Sequence, residues 1–151
     1  MIAIETGPGD PRVLPLVMAH LELMRASSPS CSVHAMGPED LAEAGVRFFA
    51  IFEADEAIAI GALRAIDRTH GEVKSMHVRR DRRGRGLADT ILARLLEAAR
   101  EAGMVRVSLE TGSREAFGAA RAFYGRNGFT TCGPFAGYAP DPNSFFMTKT
   151  I

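Results

Sequence analysis

Cysteine is scarce in this sequence. Only Cys31 and Cys132 occur, far apart and outside any paired C-x-x-C spacing. That argues against a disulfide framework and a zinc ribbon, and it suits a reducing cytoplasm. Long apolar runs are missing too: none approaches the roughly 20 residues of a membrane-spanning helix. The opening MIAIETGPGD lacks the basic segment, apolar stretch and small-residue cleavage site of an export signal. A cytoplasmic protein with no membrane role is therefore expected. Charge of one sign is also lacking. Lysine plus arginine number 18 and aspartate plus glutamate 18, a formal net charge of +0, so the chain as a whole exerts no strong pull on a polyanion. With no recognised nucleic-acid-binding motif, no nucleic-acid partner is expected. The four histidines form no HExxH motif and no close pairing with a cysteine, so no metal is expected.

What is present fits one ordinary domain. The 151 residues are 46% hydrophobic and 24% charged, close to the globular average, and a chain of this length buries about two-thirds of its unfolded surface. IAIET reads as a strand broken by GPGDP, with Asp10 as N-cap and Pro11 at the first helical position. Val13, Leu14, Val17, Met18, Leu21 and Met24 then mark one apolar face of a helix ending near Ser27. SSPSCSVHAMGPED reads as a surface loop with a short helix from Pro38 to about Glu43. From Arg47 to Val78 the texture is that of an antiparallel meander. Leu87, Ala88, Ile91, Leu92, Leu95, Leu96 and Ala99 outline a strongly amphipathic helix stopped by Gly103. Alternation over residues 105–110 gives a strand, Phe117, Ala120, Phe123 and Tyr124 a helix, and FTTCG with SFFMTKT a closing strand pair. The order β-α-(α)-β-β-β-α-β-α-β-β predicts a single α/β domain, with parallel pairing at the two late crossovers.

Charge is concentrated in one place. Arg79, Arg80, Arg82, Arg83 and Arg85 fall within seven positions, between a strand and the strong helix. First-turn helix amides lack intrahelical acceptors, and the macrodipole adds about half a positive charge there, so a phosphate is a natural partner. Gly84 and Gly86 keep Cβ atoms away from such a group, and the guanidiniums add charge and bidentate geometry. A diphosphate suits all three features. A Walker-type P-loop is absent, and Asp89 stands where the third glycine of a dinucleotide fingerprint would fall.

The order Arg83, Gly84, Arg85, Gly86, Leu87, Ala88 resembles the [RQ]-x-x-G-x-[GA] signature of the GNAT superfamily of N-acetyltransferases, and the later Ala120, Phe123, Tyr124, Gly128, Phe129 pattern extends the likeness. The resemblance covers the whole element order. It implies a mixed antiparallel and parallel central sheet of about six or seven strands flanked by helices, and a loop at 83–88 that grips the pyrophosphate of acetyl-CoA. It further implies transfer of an acetyl group to the amine of a small acceptor by direct attack in a ternary complex, and a homodimer by analogy. The alternative is a non-catalytic CoA-binding sensor or interaction module.

The same resemblance suggests roles for individual residues. Tyr124 is the expected general acid at the thioester sulfur; otherwise it is a core aromatic beside Phe123. The Val78 N–H is expected to polarise the thioester carbonyl, with Met76 and His77 alongside the pantetheine arm. Glu72 lies as far before Arg83 as a general-base glutamate in some members, or it is a solvent-facing strand residue. In a period-two strand Lys74 and Met76 share its face, and Lys74 there could hold a carboxylate, which suggests an acidic amine as acceptor. His34 lies in the loop that usually covers the acceptor and is a candidate for substrate recognition, or a loop histidine with no role. GYAPDPNS, with Tyr138, is read as a pocket wall or a dimer contact. An asparagine common seven residues before the tyrosine is replaced by Phe117.

Overall fold

FFAI in one strand and AIAIGAL in the next are apolar without alternation because both faces of the sheet are covered. In the computed structural model, which describes residues 1–28 and 35–151, these runs are β2 (Val46–Glu53) and β3 (Glu56–Ala65). Phe49, Ile51, Ile58 and Leu63 bury against α3 (Leu87–Glu101). Phe48, Ala50, Ile60 and Ala62 bury on the opposite face against α1 (Leu14–Ser27) and α2 (Pro38–Leu41). The remaining elements are β1 (Ile4–Thr6), β4 (His70–Val78), β5 (Arg106–Gly112), α4 (Gly118–Arg126), β6 (Thr130–Cys132) and β7 (Ser144–Thr150). They form one seven-stranded sheet in the order β1-β2-β3-β4-β5-β7-β6. This is the mixed sheet flanked by helices that the sequence predicts.

Helix α3 follows its sequence pattern closely. Leu87, Ile91, Leu92, Leu95, Leu96 and Ala99 are all buried, each large one contributing about 1.5–3 kcal/mol relative to exposure. Gly61 is where β3 lies against this helix, since a Cβ there would collide with Ile91. Helix α1 departs from its pattern at both face and start. Leu14 and Met18 are exposed, while Leu16, Val17, His20 and Leu21 are buried. The buried stripe is thus rotated toward a histidine that a hydrophobicity count passes over. Asp10 accepts from the Arg12 amide through its side chain, and from Val13 and Leu14 through its carbonyl. A turn is formed first, and the helix begins three residues beyond the predicted start.

Only one of the two crossovers gives a parallel pair. β4 and β5 are parallel, but β7 inserts between β5 and β6 and runs antiparallel to both. The predicted second parallel pair is replaced because the C-terminal strand takes the β5 edge, exchanging the pairing for seven registered antiparallel rungs. β4 and β5 themselves pair only over His70–Glu72 with Arg106–Ser108. Beyond Glu72 the two strands separate, and the gap between them is the feature that positions the site.

Candidate active site

A cleft of about 140 Å³ occupies the gap. Residues 73–76 of β4 and 109–112 of β5 form its walls, α1 adds His20, and Tyr124 of α4 closes it. Separated strands leave main-chain donors and acceptors without ladder partners, which an extended ligand can satisfy by strand addition.

A bulge in β4 decides which side chains face the cleft. Ala62 pairs with Lys74 but Ile60 with His77, so β4 holds one residue more than β3 over this interval. Ser75, with φ of 54°, sits in the left-handed region at that point. The extra residue reverses the facing of everything after it. Met76, expected on the face of Glu72 and Lys74, instead points to α3 and lies beneath Gly61 with Ile91 and Leu95. His77 takes the opposite face.

The Arg79 amide donates to the Ile58 carbonyl at 2.8 Å. Ala59 and Val78 are therefore a non-hydrogen-bonded pair, and the Val78 N–H and C=O point away from β3, toward the gap. His77, in the adjacent rung, turns its main chain to β3 and its ring to His20.

The arginine run divides into two sets. Arg79 pairs with Glu56 and Asp81, and Arg82 with Glu53 and Asp81. These bonds hold the 3-10 turn Arg80–Arg82 against the β2–β3 hairpin. Arg83 donates from Nε to the Val78 carbonyl at 3.2 Å. Arg80 and Arg85 have no ion-pair partner among the described residues. Gly84 and Gly86 both have positive φ, 78° and 75°, and Gly86 is the N-cap of α3. The amides of residues 86–89 donate to no acceptor among the described residues. Four free donors, a helix N-terminus and flanking guanidiniums fit a pyrophosphate.

Glu72 is fully buried and does not line the cleft, so it is not the solvent-facing strand residue of the alternative reading. Arg64 donates to its Oε1 at 2.5 Å and Tyr138 to its Oε2 at 2.7 Å. Lys74, which does line the cleft, lies 3.6 Å from Oε2 and donates to the Tyr138 hydroxyl at 3.0 Å. Burial pulls the Lys74 ammonium below its ordinary value, opposed by Glu72. Burial and then the Glu72 charge push the Tyr138 hydroxyl up. The loop carrying Tyr138 is thus a wall over β4, pinned by ring contacts among Phe135, Tyr138 and Phe146. His34 lies outside the described residues.

Tyr124 packs edge-on between Phe123 and Phe129. Burial holds its hydroxyl well above the usual phenol value, so it keeps its proton at neutral pH. Two further cleft residues were not legible in the sequence. The Ser75 hydroxyl is buried and has no hydrogen-bond partner among the described residues. His20 Nδ1 lies 3.1 Å from His77 Nδ1, and the rings meet edge-on. Burial, His77 and Lys74 together pull His20 down to about 3. Burial and then Arg83 pull His77 to about 4. A bulge is not visible in composition, and a contact between α1 and β4 spans 57 positions, so neither leaves a local signal.

Comparison with known families decides what such a cleft belongs to. The acetyltransferase (GNAT) family model matches residues 17–129. The chain is a member of the GNAT acetyltransferase family. It is 43% identical over 140 residues to the "Uncharacterized N-acetyltransferase YsnE" of Bacillus subtilis (strain 168), covering 93% of each chain. A crystal structure from Klebsiella pneumoniae, provisionally assigned as an acyl-CoA N-acyltransferase, matches with a TM-score of 0.79 and 31% identity, over 98% of this chain and 95% of that one. The fold is also that of a PaiA N-acetyltransferase from Thermoplasma acidophilum solved in complex with coenzyme A, with a TM-score of 0.75 and 14% identity over 99% and 98% of the two chains. As a GNAT member the chain is an acetyl-CoA-dependent N-acetyltransferase.

Proposed function

We propose that this GNAT protein transfers the acetyl group of acetyl-CoA to the primary amine of a small acceptor, by direct attack with both substrates bound. The observation that carries this reading is the separation of β4 from β5 beside four amides at the start of α3 that have no acceptor among the described residues. In this reading the diphosphate sits at the start of α3 and the rest of the donor lies along the free edge of β4 toward Tyr124. The coenzyme A held by the Thermoplasma protein of the same fold supports the assignment of the donor.

Acetyl-CoA supplies the activated acyl carbon, and the residues of the chain do the rest. The amides of residues 86–89 with Arg80, Arg83 and Arg85 hold the diphosphate. The Val78 N–H points into the gap, where a donor stabilises negative charge on a carbonyl oxygen. The Tyr124 hydroxyl, kept protonated by its surroundings, delivers a proton to the departing sulfur. Lys74, held at the cleft wall by Glu72 and Tyr138, faces the acceptor side, which favours an amine that also carries a carboxylate. Glu72 acts in this reading as a positioning residue for Lys74 and Tyr138.

Release of free CoA thiol from acetyl-CoA, followed over a panel of amino acids, amino alcohols and aralkylamines, tests the proposal. Tyr124→Phe is expected to slow release by about 10²-fold while acetyl-CoA affinity stays within a factor of about two. Acetyl-CoA binding by the wild type without turnover of any amine would make the chain a CoA-binding module instead.

A further inference from the structure

The contact between His20 and His77 is not needed for either cradle or general acid. Two imidazoles 3.1 Å apart through their Nδ1 atoms can bond only if one ring donates Nδ1–H and the other accepts with a bare Nδ1. When both rings are neutral, this fixes the far side of each. The donor ring carries an unprotonated Nε2 and the acceptor ring an Nε2–H. The pair therefore presents a base at one end and an acid at the other. His20 is the buried member and lines the cleft, and His77 is half-exposed. Neither ring has another hydrogen-bond partner among the described residues.

We propose that His20 is the general base of acetyl transfer and that His77, as a positioning residue behind it, completes a two-ring relay carrying the amine's surplus proton out of the cleft. The inference rests on the acetyl-transfer reading. As the amine nitrogen forms its bond to the acyl carbon, its lone pair is consumed and its N–H becomes strongly acidic. The C–S bond breaks with its electron pair left on sulfur, and the sulfur takes the Tyr124 proton. The nitrogen's proton goes to His20 Nε2, the His20 Nδ1 proton passes to His77 Nδ1, and the His77 Nε2 proton leaves to water. Water then returns a proton to His77 Nε2, the His77 Nδ1 proton goes back to His20 Nδ1 and the His20 Nε2 proton passes through cleft water to Tyr124. Both rings recover their starting tautomers, and the sum is one acetyl group exchanged for one thiol proton. A hand-through of this kind asks neither ring to store a charge, in keeping with values near 3 and 4 that keep both rings neutral. The charged and titratable groups around the pair are Lys74 on β4, Arg83 after it, Glu110 across the cleft on β5 and Tyr124 on α4.

The test follows thiol release with acetyl-CoA and the amine that the panel turns over fastest, from pH 6 to pH 9, for wild type, His20→Gln and His77→Gln. It is joined to ¹⁵N spectra of the histidine rings of the wild type, which need no turnover. The expected result is a level wild-type kcat, and a His20→Gln kcat lower by about 10²-fold at pH 7 that climbs with pH as hydroxide replaces the base. The KM for acetyl-CoA is unchanged, and His77→Gln shows a smaller loss of about 10-fold with the same slope. The spectra should show two neutral rings in opposite tautomers throughout. A purely structural role would lower kcat equally at every pH, and that result overturns the relay. So does either a His20→Gln rate within about 3-fold of wild type, or rings that titrate independently near their ordinary value. In each of those cases wild-type turnover still stands, and the acetyl-transfer reading with it. A wild type that binds acetyl-CoA but turns over no amine instead removes the reading on which the relay rests.

Discussion

The ring of Phe117 lies directly on the backbone of Gly112, so closely that a Cβ on residue 112 would fall within the ring. Both residues line the cleft, and Arg121 locks the arrangement by donating to the carbonyls of Gly112 and Arg114. Residue 117, where the family resemblance leads one to expect an asparagine, is thus a packed aromatic. Gly112→Ala should displace Phe117, cost about 1–3 kcal/mol by overpacking and weaken acetyl transfer. Urea unfolding with thiol release on the same sample checks both. A variant as stable and active as wild type would show that the contact carries no constraint.

Ser75 combines a left-handed backbone with a buried hydroxyl that has no hydrogen-bond partner among the described residues. Such a group imposes a desolvation cost on the folded chain, and strained residues of this kind cluster at functional sites. Ser75→Ala is expected to raise stability by about 1 kcal/mol and to reduce kcat. A gain in stability with full activity would make the hydroxyl irrelevant to the reaction.

Glu72 sits between Arg64, Lys74 and Tyr138 without exposure to solvent. Replacement by Gln leaves two cations facing a neutral amide, and removing one partner of a buried pair costs about 3–5 kcal/mol. Glu72→Gln should therefore lower the urea midpoint and raise the KM for the acceptor through a misplaced Lys74. If Glu72 were the base, kcat would fall with the KM unchanged.

The buried histidines set a pH window for stability. His20 and His77 are neutral in the folded chain down to about 3 and about 4, whereas in the unfolded chain they protonate below about 6.5. The unfolded state binds more protons in that interval, so their contribution is fully present above about pH 6.5 and is lost as pH falls toward the folded values. Between pH 6 and 4.5 the loss from His20 is on the order of 2 kcal/mol. His70, also lowered by burial, acts in the same direction. Urea midpoints at pH 7 and pH 5 should differ less for His20→Gln than for wild type.

The parts of the molecule legible in the sequence were those with local causes. Helix α3 was marked by Leu87 through Leu96 because a 3.6-residue period survives any context. The Arg83–Ala88 order stands between strand and helix, where Gly84 and Gly86 take positive φ and α3 begins. The rest depended on non-local geometry. Period two predicts Met76 on the face of Lys74, but the extra residue at Ser75 breaks that period without any Gly or Pro to announce it. The apolar spacing predicts Leu14 and Met18 in the core, but the stripe of α1 is completed by His20, whose partner lies on β4. The second parallel pair was lost to β7, a strand whose position only assembly of the whole sheet decides. Glu72 was seen by its spacing, but its burial follows from Tyr138, 66 positions away.

Titration of acetyl-CoA into the wild type by calorimetry, beside Gly86→Glu, tests the central claim most directly. At φ of 75° a side chain at residue 86 costs about 1–2 kcal/mol, which circular dichroism would register if it unfolded the chain. The Cβ itself meets open space, so the variant differs from wild type chiefly by a carboxylate at the diphosphate position. Saturable binding by the wild type and its loss in a folded Gly86→Glu is the predicted result. Equal binding by the two, or none by the wild type, would contradict the assignment of the loop at 83–88 as the acetyl-CoA cradle.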